Sequence, residues 1–254
     1  MICASKKKKT LCSSNTLGTL TGMNNTLKHV AIVMDGNRRW ARNHNLSTLE
    51  GHEKGAETLR AIVEESIVQK IPYVTVYAFS SENWNREVHE VEGLFALMAR
   101  LLKAEAKTLH EQGVRLKVIG SRQRLSDEIR LLLKDVEDLT KDNKALQLTV
   151  ALNYGGRQEI VMAAQHVARE VLEKGYPIES ITEDTFGSFL HTADMPDPDL
   201  FIRPSGEFRI SNFLLWQSAY AEFYFTPTYW PDFSREEYGR AIASYYTRQR
   251  RFGE

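Results

Sequence analysis

The sequence predicts an α/β fold, a single domain with a central, mainly parallel β-sheet flanked by helices. Three observations carry that expectation. Short β-branched runs alternate with longer amphipathic segments, the breakers Pro72, Gly113 and Gly175 fall at the joints, and neither an internal repeat nor a linker divides the chain. A length of 254 residues is ample for one core of this kind.

The expected strands cover residues 29–34, 73–79, 115–119, 146–152, 200–202 and 222–225, each rich in Val, Ile, Leu or aromatic side chains. Between them, residues 51–69, 88–112, 126–141, 158–174 and 234–248 carry apolar side chains at helical spacing. Ser126, followed by Ile129 and Leu131 to Leu133, has the pattern of a capped helix packed on the sheet. Residues 88–112 hold a long apolar stripe: Val88, Val91, Leu94, Phe95, Met98, Leu101, Leu102 and Leu109. On periodicity alone the stripe reads as ordinary core, with a lipid-lined groove as the alternative.

Residues 1–28, rich in Ser, Thr, Asn and Gly, read as a flexible basic tail, and residues 29–254 as the folded domain. The chain carries 33 basic and 33 acidic residues, but Lys6, Lys7, Lys8, Lys9 and Lys28 all precede the first carboxylate, Asp35. From His29 onward 28 basic residues face 33 acidic ones, a net of −5, which argues against a general nucleic-acid binder. The Lys run reads as a solvated tail, an electrostatic tether to anionic lipid being the alternative. Cys3 and Cys12 also lie in the tail, so no internal disulfide or cysteine nucleophile is expected in the domain, and a reducing, cytoplasmic setting fits. The apolar run at 30–34 is far shorter than the roughly 20 residues of a membrane span.

In a parallel sheet, ligands bind beyond the carboxyl ends of the strands. The first such junction reads Asp35-Gly36-Asn37-Arg38-Arg39-Trp40. Gly36 permits a tight turn, Asn37 can cap the next turn, and two arginines favour an anion. Asp35 would repel that anion unless a cation such as Mg²⁺ bridges the two. The plainer alternative is a capping Asp with surface arginines. The second junction, Ser80-Ser81-Glu82-Asn83-Trp84-Asn85-Arg86, offers more hydrogen-bonding capacity than a connector needs, though an Asn-rich capping turn would read similarly. The third, residues 203–212, places Arg203 and Arg209 around a Ser-Gly turn, an arrangement able to grip a diphosphate. Glu222, inside an aromatic run, needs a partner if buried, either an arginine or a metal.

The strings HVAIVMDGNRRWA, YAFSSENWNR, ALNYGGRQEI and RPSGEFRISNFLLWQSAYAEFYF, with the Gly51-His52 pair and the closing RRFG, resemble the cis-prenyltransferases. Within that family they are most similar to the bacterial undecaprenyl diphosphate synthases, in matching order from His29 to Gly253. The resemblance implies a homodimeric, Mg²⁺-dependent transferase that adds isopentenyl diphosphate units in cis to farnesyl diphosphate. Its product would be undecaprenyl diphosphate, a lipid-carrier precursor for cell-wall synthesis, grown in a hydrophobic tunnel. The implied setting is cytoplasmic, peripheral to the inner face of the plasma membrane, with transient membrane contact on product release.

Carried over by motif, Asp35 is the catalytic carboxylate that works with Mg²⁺, and Glu222 matches a metal ligand. Gly36, Asn37, Arg38, Arg39, Trp40 and His52 form the implied allylic diphosphate pocket, and Ser80, Ser81, Glu82, Trp84 and Arg86 line the site. Asn83 matches the family's proposed proton acceptor, although an amide is a weak base and its part can be positioning. Arg203, Arg209, Ile210 and Ser211 match the isopentenyl diphosphate grip, and Arg251 and Gly253 a terminal element that reaches the partner's site. The resemblance also moves the 88–112 stripe, with Leu94 and Met98, into the tunnel wall.

Three positions depart from the usual pattern: Thr48 where many relatives have Arg, Pro204 where Thr is common, and Phe208, which excludes a His metal ligand there. A different product length, a non-catalytic subunit of the same fold and an unrelated phosphate-binding hydrolase are the competing readings. Leu146 matches a residue near the tunnel floor. Leu146→Ala is therefore expected to lengthen the product, and an unchanged chain-length distribution would count against that role.

Overall fold

The computed structural model describes residues 26–248. Six strands form one sheet in the order β3-β4-β2-β1-β5-β6: β1 (His29–Val33), β2 (Tyr73–Ser80), β3 (Val114–Ile119), β4 (Leu146–Tyr154), β5 (Leu200–Arg203) and β6 (Glu222–Phe225). Every pairing is parallel. The helices are α1 (Asn37–Asn43), α2 (Thr48–Val68), α3 (Val88–Glu111), α4 (Asp127–Thr140), α5 (Gly156–Lys174), α6 (Glu183–Gly187) and α7 (Arg235–Thr247). All six expected strands are present. The chain leaves β1 for β2 on one side and reaches β5 on the other, so the carboxyl end of β1 is a topological switch point.

Strand alternation sorts the core into two layers. Val30, Ile32, Val74, Val76, Leu148 and Ile202 face one side, under α2, α3, α4 and α7. Ala31, Val33, Tyr77, Ala151 and Phe201 face the other, where Phe213 and Leu214 cover them. The pairing of β2 with β4 slips between Tyr77 and Phe79, and strict alternation fails there. Phe79 consequently joins Val74 and Val76 on the helical side and meets Phe95 of α3 at 5.0 Å.

Several boundaries differ from the sequence reading. Helix α1 was expected only as a capped turn, and its seven residues are too few to show a period. Asn37 is its first residue and not its cap: Gly36 holds the cap position with a φ of 105°, and the buried Asn37 amide donates to the Met34 carbonyl at 3.3 Å. Helix α2 starts three residues earlier than expected, because Ser47 and Glu50 form a reciprocal capping box. Ser126 caps α4 as expected, accepting from the Ile129 amide. Leu27, assigned to the tail, is buried in the core, while the Lys28 and His29 amides donate to the Asp199 carboxylate at 2.8 and 3.0 Å. The remaining tail, with Cys3, Cys12 and the Lys run, lies outside the described residues.

Two glycines let α2 lie directly on α1. A Cβ on Gly51 would stand 2.4 Å from the Asn37 carbonyl oxygen, and one on Gly55 would stand 2.4 Å from the Asn37 side-chain oxygen. Gly51→Ala would gain about 1 kcal/mol of helix propensity but would drive α2 against backbone, an overpacking cost of about 1–3 kcal/mol. Denaturant unfolding is expected to show a lower midpoint for this variant; a higher one would mean that the α1–α2 contact has slack.

Candidate active site

The carboxyl ends of β1, β2 and β5 bring all three sequence junctions together. Asp35, just past β1, receives a hydrogen bond from Arg203 at the end of β5, Nη2 to Oδ2 at 2.8 Å, and a longer contact from Arg39 at 3.5 Å. Burial pulls the Asp35 pKa upward, but the hydrogen bond and charge of Arg203, then Arg39 and the Ser205 hydroxyl, outweigh it and hold the carboxyl below its ordinary value. Asp35 is therefore an ionised oxygen donor among guanidinium groups.

Arg203 is buried and spends its donors on its own loop as well. Its Nη1 reaches Ser211 Oγ at 2.7 Å and the Arg209 carbonyl, which closes residues 203–211 around it. Arg39 extends the network to Ser205 Oγ at 2.7 Å and Glu207 at 3.0 Å, and its guanidinium lies over the Tyr229 ring. Gly36 is required beneath, since a Cβ there would meet Tyr229 at 2.8 Å. Ser205, Glu207 and Tyr229 were missed in the sequence reading. The Ser-Gly turn was visible, but nothing local marks Tyr229 as a neighbour of Arg39.

Inward from this cluster runs a cavity of about 450 Å³. Asp35, Asn37, His52, Asn83, Arg86, Arg203 and Ser211 line it at the sheet's carboxyl end. Apolar side chains line most of the rest, among them Leu59, Val63, Phe95, Leu148 and Val150. Asn37 Oδ1, His52 Nε2 and Arg203 Nε are buried without a hydrogen-bond partner, and all three belong to residues lining it. Such groups are costly unless a ligand satisfies them. A neighbouring basin carries Arg38, Arg39, Arg42 and Arg86 with Thr48 at its edge. Arg42 was also unanticipated.

The α3 stripe divides. Leu94, Phe95, Met98, Leu101, Leu102 and Leu109 line the cavity, whereas Val91 packs elsewhere in the core and Val88 is exposed. Leu146 is not in the wall. It is fully buried on the same face of β4 as Leu148 and two residues farther from the strand's carboxyl end, so Leu148 is the lining residue and Leu146 is core.

Of the other expected residues Ser80 also lines the cavity, whereas Trp40, Ser81, Glu82, Arg209 and Ile210 do not. Trp40 is a packing residue: its indole N–H donates to Asp232 at 2.8 Å and its ring stacks on His44 at 4.2 Å. Ser81 and Glu82 lie on the far side of the 3₁₀ turn (Ser81–Asn85), with Glu82 accepting from Asn212 at 2.7 Å. Burial tends to raise the Glu82 pKa, yet hydrogen bonds with its backbone, Asn212, Ser80 and Ser81 keep it lowered. Asn83 Oδ1 accepts from the Ser80 amide at 3.0 Å, so its acceptor already serves the turn. Arg209 points to solvent and pairs with Glu207, and Ile210 packs against the aromatic layer.

Within the chain Glu222 is only partly buried and pairs with Arg248 at 2.8 Å; its register opposite Leu200 sets it at the amino end of β5, away from the same chain's Asp35. The arginine partner is the one found. Among the described residues no three His, Cys, Asp or Glu side chains form a metal-binding group. Arg251 and Gly253 lie outside the described residues.

Residues 33–253 match the family model described as "Putative undecaprenyl diphosphate synthase". The chain belongs to this family of prenyltransferases. An isoprenyl transferase of Heliobacterium mobile is 50% identical over 226 residues, covering 89% of this chain and 87% of its own. A ditrans,polycis-undecaprenyl-diphosphate synthase of Legionella pneumophila, designated specific for (2E,6E)-farnesyl diphosphate, is 46% identical over 233 residues, 91% and 98% of the two chains. Lavandulyl diphosphate synthase from Lavandula x intermedia, solved with dimethylallyl diphosphate, superposes with a TM-score of 0.87 at 37% identity, covering 90% of this prenyltransferase and 99% of that chain.

Burial, then the nearby charges of Arg86 and Arg38, lowers the His52 pKa to about 4 against the opposing pull of Glu90. A depressed histidine pKa means that the unfolded chain takes up the proton first. The stabilisation is therefore complete above the ordinary value near 6.5 and is lost as pH falls toward 4. Urea unfolding of ligand-free protein at pH 7 and pH 4 is expected to show the wild type losing up to about 3 kcal/mol more than His52→Gln. Equal losses would place His52 in a more solvated setting.

Proposed function

We propose that the protein elongates farnesyl diphosphate with isopentenyl diphosphate units in cis, giving undecaprenyl diphosphate, the lipid-carrier precursor for cell-wall synthesis. The observation that carries this reading is the single cavity with two chemistries. Its sheet end gathers an ionised carboxylate, guanidinium groups and unpartnered polar atoms, while its remaining wall is largely Leu, Val, Phe and Met. A diphosphate ester with a growing hydrocarbon tail needs both. The names of the Legionella and Lavandula relatives support the substrate class.

Transfer requires the allylic C–O bond to break, its electron pair leaving with the diphosphate. The isopentenyl double bond supplies the pair for the new C–C bond, and the proton then lost from the neighbouring carbon passes to the released diphosphate or to water. Arg39, Arg203 and the Arg38–Arg86 basin are placed to hold diphosphate charge, and the apolar wall keeps water from the allylic cation. Arg203 and Ser211, tied together beside Asp35, are suited to orient the second diphosphate. Asn83 serves as a positioning donor, its oxygen being engaged.

Mg²⁺ fits this donor set. Asp35 offers one ionised carboxylate, and an ion that keeps several waters and binds substrate phosphates needs little more protein ligation. Asp35 would hold it, and when bound it would neutralise charge on the departing diphosphate. Homodimerisation is part of the same reading: Phe208, largely exposed, meets Phe225 on the edge strand β6, and Phe225 stacks on Phe223, an aromatic strip that a second copy would cover. No helix among the described residues is long and apolar enough to cross a membrane. Transient contact of the product's tail with a bilayer at the cytoplasmic face completes the proposal.

Purified protein with Mg²⁺, farnesyl diphosphate and radiolabelled isopentenyl diphosphate is expected to yield a polyprenyl product of undecaprenyl length. Another length would favour a differently gated relative, diphosphate release without elongation a hydrolase, and activity only with an added partner a scaffold subunit. In the same assay Asp35→Asn, which keeps an acceptor for Arg203, is expected to lower turnover about 100- to 1,000-fold with its unfolding midpoint little changed. Near-normal turnover would remove Asp35 from the chemistry.

A further inference from the structure

Asn153, next to last in β4, stands behind the segment that carries Asn83 and Arg86. It is 5% exposed and holds a φ of 48°, a left-handed conformation that Asn adopts more readily than most residues. Its Oδ1 accepts the Trp84 indole N–H at 2.7 Å, while its Nδ2 donates to the Ser121 and Gln123 carbonyls at 3.0 and 2.9 Å. One side chain thus ties the 3₁₀ turn to the loop after β3. That loop comes close because of Gly120, where a Cβ would lie 2.1 Å from the Leu152 carbonyl oxygen.

The same loop turns Arg124 back over the Trp84 ring, with its guanidinium carbon 4.2 Å from the centroid. Phe95 stacks on the indole at 5.3 Å and Phe79 meets it edge-on at 5.2 Å. The indole is fixed by the amide, the guanidinium and the two rings together, yet neither Trp84 nor Asn153 lines the cavity. The residues flanking Trp84, Asn83 and Arg86, do line it. Holding the indole rigid therefore fixes its neighbours.

We propose that Asn153 is a positioning residue for prenyl transfer, acting through the Trp84 indole to set Asn83 and Arg86 at the cavity. The proposal rests on the prenyl-transfer reading above. A displacement of about 1 Å in groups that align reacting atoms can cost up to about 100-fold in rate, so the effect should appear in kcat. Farnesyl diphosphate binding should change less, because Arg86 is the one member of the arginine basin on this segment, whereas Arg38, Arg39 and Arg42, with Gly36 and His52, stand on other elements.

The test is a double-mutant cycle with Asn153→Gly, Trp84→Phe and the double variant. Glycine removes the side chain without straining a positive φ, and Phe keeps a ring while deleting the N–H. Steady-state elongation would be read together with thermal unfolding. Each single variant is expected to lower kcat about 10- to 100-fold, to change KM for farnesyl diphosphate less than about threefold, and to leave the double no more than about twofold worse than the weaker single. Multiplicative losses, an unchanged kcat, or a KM rise that merely tracks loss of fold would overturn the positioning role. If Asn153→Gly does not fold, Trp84→Phe alone decides by the same kcat and KM criteria. A wild-type protein inactive in elongation would sink the underlying reading as well, whereas an active wild type with unaffected variants would sink the positioning role alone.

Discussion

The pair formed by Asp35 and Arg203 joins two neighbouring strands at the point where the chain's path across the sheet reverses. A guanidinium buried this deeply is tolerable only with a carboxylate and hydrogen-bond acceptors around it. Asp35, Ser211 and the Arg209 carbonyl supply them, which obliges the 203–211 loop to fold back over β5. That fold-back delivers Ser205 and Glu207 to Arg39, and Arg39 in turn fixes α1 against Tyr229. One buried charge thereby determines the shape of three loops.

The apolar part of the cavity has an independent origin. Alternate residues of β1, β2 and β4 turn Leu and Val toward α2 and α3, and these helices leave a gap between themselves and the sheet. Polar mouth and apolar interior meet because both are built on the same strand ends. The hydrocarbon wall needs only patterning, whereas the mouth needs specific atoms at specific places.

That difference explains how much was legible in advance. Strands rich in Val and Ile, with glycine and proline at their joints, announced the sheet and its direction. Asp35, Asn37, Asn83, Arg86, Arg203 and Ser211 were found because their motifs are long and follow strand ends, His52 of α2 only through the family resemblance, and the structure brings them together. Trp40 shares those motifs but points away, because its indole is spent on packing and on Asp232. Tyr229 and Asn153 gave no local signal because their importance comes from residues 190 and 69 positions away, Arg39 and Trp84. Helix α1 escaped notice because two turns are too short for periodicity to speak.

The slip in β2 at Ala78 changes which face of the sheet the following residues address. Upstream of it the strand obeys the two-residue alternation; downstream, Phe79 has crossed to the cavity side. The segment from Ala78 to Arg86 is therefore governed by its length more strictly than by its composition. Exchanging one side chain there alters a single contact, but inserting or deleting a residue would turn the whole loop to the opposite phase and carry Asn83 and Arg86 off the cavity together.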